Sequence, residues 1–174
     1  MKTLNKIQFA KKWINDLLEN KKIKKQSIIS FNFKRLDKYF SKELLEVSDV
    51  ILCDKIPVLP LEKLGLKRLK KEKDIDFIGM TYDDCFFIKE NQKKNESLFF
   101  HELVHILQWK YLGIDNFLLL YAIELEKNGY RENFFEEMAY YLQEKFDNNE
   151  IFNAEKIVQK ELKKFMKNLK IDLP

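Results

Sequence analysis

The stretch NESLFFHELVHILQWKYLG, Asn95 to Gly113, decides how this chain is read. Leu98, Phe99, Leu103, Val104, Ile106, Leu107 and Trp109 cover most of the circumference of a helix, and a helix apolar all round is a buried one. Yet His101, Glu102 and His105 run through its middle, and they include both histidines of the chain. Positions i and i+4 of a helix lie one above the other, so the two imidazoles face one point in space. Glu102 lies one residue round, close enough to hold a water at that point. This is the HExxH arrangement, two zinc ligands and a general base on one turn. Burying a polar group without a partner costs on the order of 2–7 kcal/mol. Three such groups in one turn need a shared compensation, which a metal ion supplies.

Catalytic zinc takes three protein ligands and keeps a fourth position open. With no histidine left, the third ligand is a carboxylate or a cysteine. The segment GYRENFFEEMAYYLQEKF, Gly129 to Phe146, offers Glu136 and Glu137 early in a helix. It follows His105 at a distance that lets a helix leave the site and return. Asn133 and Glu136 also have the N-cap and N3 spacing of a capping box, which is the competing use of Glu136.

The layout resembles the gluzincin branch of the zincin metallopeptidases, with an HExxH helix, a later glutamate helix and upstream strands. More closely, HELVHILQW followed by GYRENFFEEMAYYL is similar to small bacterial HExxH domains whose second motif runs approximately Y-R-x-N-P-x-E-x-x-A-Y. Tyr130, Arg131, Asn133, Glu136, Ala139 and Tyr140 match that pattern, and Phe134 stands where proline is common. The similarity covers about Phe77 to Phe146; residues 1 to 75 carry none. The resemblance implies His101, His105 and Glu136 as metal ligands, with Glu137 the rival for the third place, and Glu102 as catalytic base. It also implies Tyr130 and Arg131 as donors to the oxyanion of a tetrahedral intermediate. Many gluzincins carry an aspartate four residues after the glutamate ligand, where it orients a zinc histidine. Here that position is Tyr140, so the tyrosine or another group, such as Asp83 or Asp84, takes the role. In zincins an edge strand pairs with extended peptide substrate, and Cys85 to Lys89 is the candidate for it.

Working outward, residues 5 to 20 repeat apolar positions at helical spacing, and SIISFNF alternates as a strand does. Residues 41 to 47 read as a short helix, and DVILCDKIPVLP as a buried strand or irregular segment. Residues 61 to 72 read as a basic helix. Phe77 to Thr81 and Cys85 to Lys89 read as a hairpin turned by YDD. One helix is expected from about Glu96 to Leu112, ended by Gly113. A second should start after Asp115 and stop at Gly129, a third follow Asn133 to about Phe146, and a fourth cover Asn153 to Leu169. Strands first and helices later predict an α+β fold, zincin-like, with a small antiparallel sheet packed on the buried HExxH helix.

At 174 residues the chain reads as one domain, 1–174. Its composition, 45% hydrophobic and 34% charged with 4 Gly and 3 Pro, leaves no room for a flexible linker. The net charge of +4 comes with basic runs at Lys21–Lys25 and Lys67–Lys73. Arginine, the residue best suited to phosphate and base edges, occurs only at Arg35, Arg68 and Arg131, so no nucleic-acid partner is expected. Cys53 and Cys85 lack partner spacing, the N-terminus lacks the apolar core of a secretory signal, and no uncharged apolar run spans a bilayer. The expectation is a cytoplasmic, non-membrane zinc metallopeptidase that hydrolyses a peptide or protein substrate. Its alternatives are a regulatory peptidase specific for one partner protein and a catalytically inactive, metal-stabilised binding module.

Overall fold

A computed structural model of the chain describes residues 2–60 and 76–169. The basic helix expected at 61–72 lies outside the described residues. The elements are α1 (Lys2–Leu18), β1 (Gln26–Ser27), α2 (Lys42–Val47), β2 (Asp49–Cys53), β3 (Gly79–Tyr82), β4 (Cys85–Lys89), α3 (Glu96–Asn128), α4 (Phe134–Asp147) and α5 (Ala154–Leu169). The fold is α+β.

The sheet is mixed, in the order β1-β2-β4-β3. β2 and β4 run parallel, while β1 pairs with β2 and β3 with β4 antiparallel. Cys85–Lys89 is therefore a central strand, held on both sides, and not the edge. Its residues are almost continuously buried, as a strand covered on both faces requires. The edge beside the long helix is β3.

The hairpin forms as its turn chemistry predicts. Asp83 takes φ 58, a left-handed conformation that aspartate tolerates, and Tyr82 pairs with Cys85 across the turn. Beyond Ser27, which ends β1, SIISFNF does not form a strand. Ser27 caps a 3₁₀ turn over Ile28–Phe31 through its side chain, and Asn32 ends it at φ 53. Burial does not follow the alternation: Ile28 is buried and Ile29 exposed, while Phe31 and Phe33 both pack on Phe99.

Residues Leu98 to Trp109 of α3 are all buried, between the sheet, α1, α4 and α5. The helix does not stop at Gly113. It kinks there, at φ 72 and ψ 159, and resumes at once without a loop. Only glycine takes that conformation without strain. Beyond the kink Phe117 and Tyr121 pack on Phe135 of α4. Asn133 caps α4 by accepting from the amides of Phe135 and Glu136. Ala139 and Leu142 are fully buried and let α4 lie close against α3. Among the described residues no helix is long and apolar enough to cross a membrane.

Candidate metal centre

α3 delivers His101 and His105 on one face, and α4 brings Glu136 to them. All three are buried, at 4%, 6% and 3% exposure. The two Nε2 atoms lie 3.1 Å apart, and Glu136 Oε2 lies 3.6 Å from each. A circle through three atoms at these separations has a radius of about 2.0 Å, a bonding distance for a small divalent cation with nitrogen and oxygen ligands. The other carboxylate oxygen, Oε1, accepts from Tyr121 Oη at 2.8 Å. Oε2 is buried and has no hydrogen-bond donor. A carboxylate oxygen so placed, between two imidazoles and out of reach of water, calls for a cation. Glu137, one residue further round α4, is exposed and is not among the clustered donors. Glu136 is thus not spent on capping, although its own amide takes part in the cap at Asn133.

The electrostatics point the same way. Burial disfavours charge on His105, but the Glu136 carboxylate overrides it and pushes the imidazole up to about 9. Burial alone would raise Glu136, yet His105 and His101 hold its carboxyl well below the usual carboxylate range. The pocket concentrates a field that attracts positive charge.

Glu102 is buried beside this group and is not one of its three donors. Its Oε2 accepts from Thr81 Oγ1 at 2.6 Å, on the edge strand β3. Its Oε1 rests against Gly79, where a Cβ would overlap it. Burial raises the Glu102 carboxyl above its ordinary value, against the pull of His101, His105 and the Thr81 hydroxyl. Tyr130 packs edge-on against Phe77, with ring centroids 5.2 Å apart. Burial, then Glu136, Tyr140 and Glu102, push its hydroxyl far above the ordinary range, so it stays protonated and able to donate. The ring of Tyr140 lies 4.7 Å from that of His101, and Arg131 sits over Tyr140 at 5.1 Å.

The partners that orient the histidines differ from those expected. His101 Nδ1 meets Gln143 Oε1 at 3.0 Å, and His105 Nδ1 meets Gln108 Oε1 at 2.8 Å. Tyr140 contacts His101 only through its ring, and Asp83 faces Asp84 and Lys25 at the hairpin tip. Sequence reasoning missed both glutamines, as well as Thr81, Gly79 and Tyr121. A signal was present for two of them. Gln108 is an isolated amide one turn beyond His105 in an apolar helix, and Gln143 lies two turns beyond Glu136 on the same face of α4.

Compared with known proteins, the chain matches no family model, no curated protein and no solved structure.

Proposed function

We propose that the chain is a zinc-dependent metallopeptidase of zincin type, with His101, His105 and Glu136 as the metal ligands. The observation that carries this is the triangle of two Nε2 atoms and one orphaned carboxylate oxygen, with the separate carboxylate of Glu102 beside it. Two imidazoles and a carboxylate are a donor set of catalytic zinc, which leaves a further position open. Zinc held there supplies a Lewis acid for a carbonyl oxygen and lowers the pKa of water toward ~7. Glu102 takes the proton from the attacking water and returns it to the leaving amine. A carboxyl raised by burial suits both halves of that task. Thr81 holds Glu102 in place, and the protonated Tyr130 donates to the developing oxyanion.

β3 supports a peptide as substrate. Lys89 donates to the Ile78 carbonyl at 3.0 Å, which fixes the alternation of the ladder. Ile78, Met80 and Tyr82 bond toward β4, so the backbone groups of Gly79 and Thr81 point away from β4, to the side where no strand pairs with β3 among the described residues. Those are the two residues whose side-chain face carries Glu102. An extended peptide added to this edge passes the catalytic carboxylate.

The test pairs a zinc assay with cleavage of a peptide pool by wild type and Glu102→Gln. The amide keeps the shape of the carboxylate but cannot take the proton, and loss of a general base costs roughly 10²–10⁴-fold in rate. Retained zinc with abolished cleavage is the expected result. Unchanged cleavage sinks the mechanism, and zinc without cleavage in the wild type turns the reading to a binding module.

A further inference from the structure

His101 and His105 bind a metal through Nε2 only if each ring carries its proton on Nδ1, and the surrounding amides decide that. Gln143 Nε2 donates to Ser97 Oγ at 2.9 Å, and Ser97 Oγ donates to Asp147 Oδ2 at 2.9 Å. A carboxylate can only accept, so the serine hydroxyl must point to Asp147 and accept from the amide. That leaves Gln143 Oε1, an acceptor, facing His101 Nδ1 at 3.0 Å. The ring must therefore donate from Nδ1. The second histidine is governed by an equivalent contact. Gln108 Nε2 donates to the Phe135 carbonyl at 3.0 Å, which turns its Oε1 to His105 Nδ1 at 2.8 Å. In each case the direction of the amide is set by an acceptor that cannot reverse.

We infer that Gln143 and Gln108 are positioning residues that lock both histidines as Nδ1–H tautomers, with their Nε2 lone pairs aimed at one point. This rests on the metal reading proposed above. Both outer partners are neutral amides, where a carboxylate would add negative charge to the imidazole. Among the three donors and the two amides bonded to the rings, Glu136 alone carries negative charge, so an ion held there would keep more of its positive charge for polarising a substrate. His101 carries the longer chain, through Gln143 and Ser97 to the exposed Asp147, so its lock can be loosened from the surface of the protein.

The test measures zinc affinity by chelator competition for wild type, Gln143→Leu, Gln143→Glu and Ser97→Ala, with the melting temperature of each metal-free protein as a control on folding. Loss of such a partner costs about 10–100-fold in metal affinity. Gln143→Leu should lose that much. Gln143→Glu, which still accepts from Nδ1, should bind zinc as tightly as wild type or more tightly. Ser97→Ala frees the amide to turn and should weaken zinc without touching either ring. In the zinc-loaded protein the Nδ1 protons of the only two histidines should give two exchange-protected signals, one of them lost in Gln143→Leu. Wild-type affinity in Gln143→Leu, or equal losses in Gln143→Leu and Gln143→Glu, would overturn the tautomer lock while leaving the metal reading intact. A wild type that binds no zinc removes the metal reading itself.

Discussion

Gly79→Ala is the substitution that best separates a catalytic reading of this site from a merely structural one. Gly79 lies in β3 outside the left-handed region, so alanine suits its backbone. The obstacle is the new methyl group. It would overlap Glu102 Oε1, and it would lie 3.0 Å from Glu102 Cδ and 3.3 Å from Ile88 Cδ1. The carboxylate is the end of a flexible side chain, so it is what moves. Moving it breaks the 2.6 Å bond from Thr81, and a hydrogen bond to a charged group contributes about 1.5–3 kcal/mol. Alanine returns about 0.5–1 kcal/mol through its lower backbone entropy. The net loss is about 1–2 kcal/mol, a fall in melting temperature of several degrees for a chain of this length. The effect on catalysis should be larger. A displacement of about 1 Å in a catalytic group costs as much as ~10²-fold. Zinc content should be unchanged, because no ligand moves. Thermal melts, zinc analysis and peptide cleavage measure the three quantities. A double-mutant cycle then supplies the decisive comparison. In a Glu102→Ala background there is no carboxylate to displace, so adding Gly79→Ala should be neutral or mildly stabilising. Equal destabilisation in both backgrounds would refute the reasoning.

The remaining predictions concern the metal and its competition with protons. Glu136→Ala and His105→Ala should each lose zinc and lower the melting temperature of zinc-supplemented protein, since a ligand at 1,000 Kd stabilises by about 4 kcal/mol. Glu137→Ala, at an exposed position, should do neither, and loss of zinc in that variant would reassign the third ligand. In metal-free protein, His105 is raised from 6.5 to about 9, so its stabilising contribution is whole below pH 6.5 and fades as the pH climbs through 9. Glu136 has the opposite sign: its depressed carboxyl stabilises above pH 4.5 and loses that contribution only in stronger acid. Melting temperatures after chelation should therefore fall between pH 6.5 and 9, whereas zinc-loaded protein should not show this loss; a rise across that window in metal-free protein contradicts the assignment.

What could be read from the sequence was whatever a short window of residues determines. The apolar circumference of Leu98 to Trp109 fixes a buried helix, and the i, i+4 spacing alone places two imidazoles together. Asn133 begins α4, and the YDD turn makes the hairpin, because caps and turns are made from adjacent residues. The errors arose where distant residues decide. The alternation in SIISFNF has the period of a strand, yet Ser27 and Asn32 close a 3₁₀ turn there, and Phe31 and Phe33 are satisfied by Phe99 more than sixty residues away. Gly113 has the chemistry of a helix terminator but no loop follows it, and the kink instead sends Tyr121 back to Glu136.

Sheet order is non-local in the same sense. Nothing in CFFIK says that β2 will pair with it in parallel and leave β3 as the edge. That ordering has a chemical consequence. Among the described residues β3 is the outer strand of the sheet, and it is also the strand that carries Gly79 and Thr81 against Glu102. On the proposed peptidase reading, the pairing of β2 on the far side of β4 leaves β3 as the strand offered to a substrate. The setting of Glu102 and the proposed peptide-binding strand then depend on one piece of topology, and a change that displaced β3 should disturb both together.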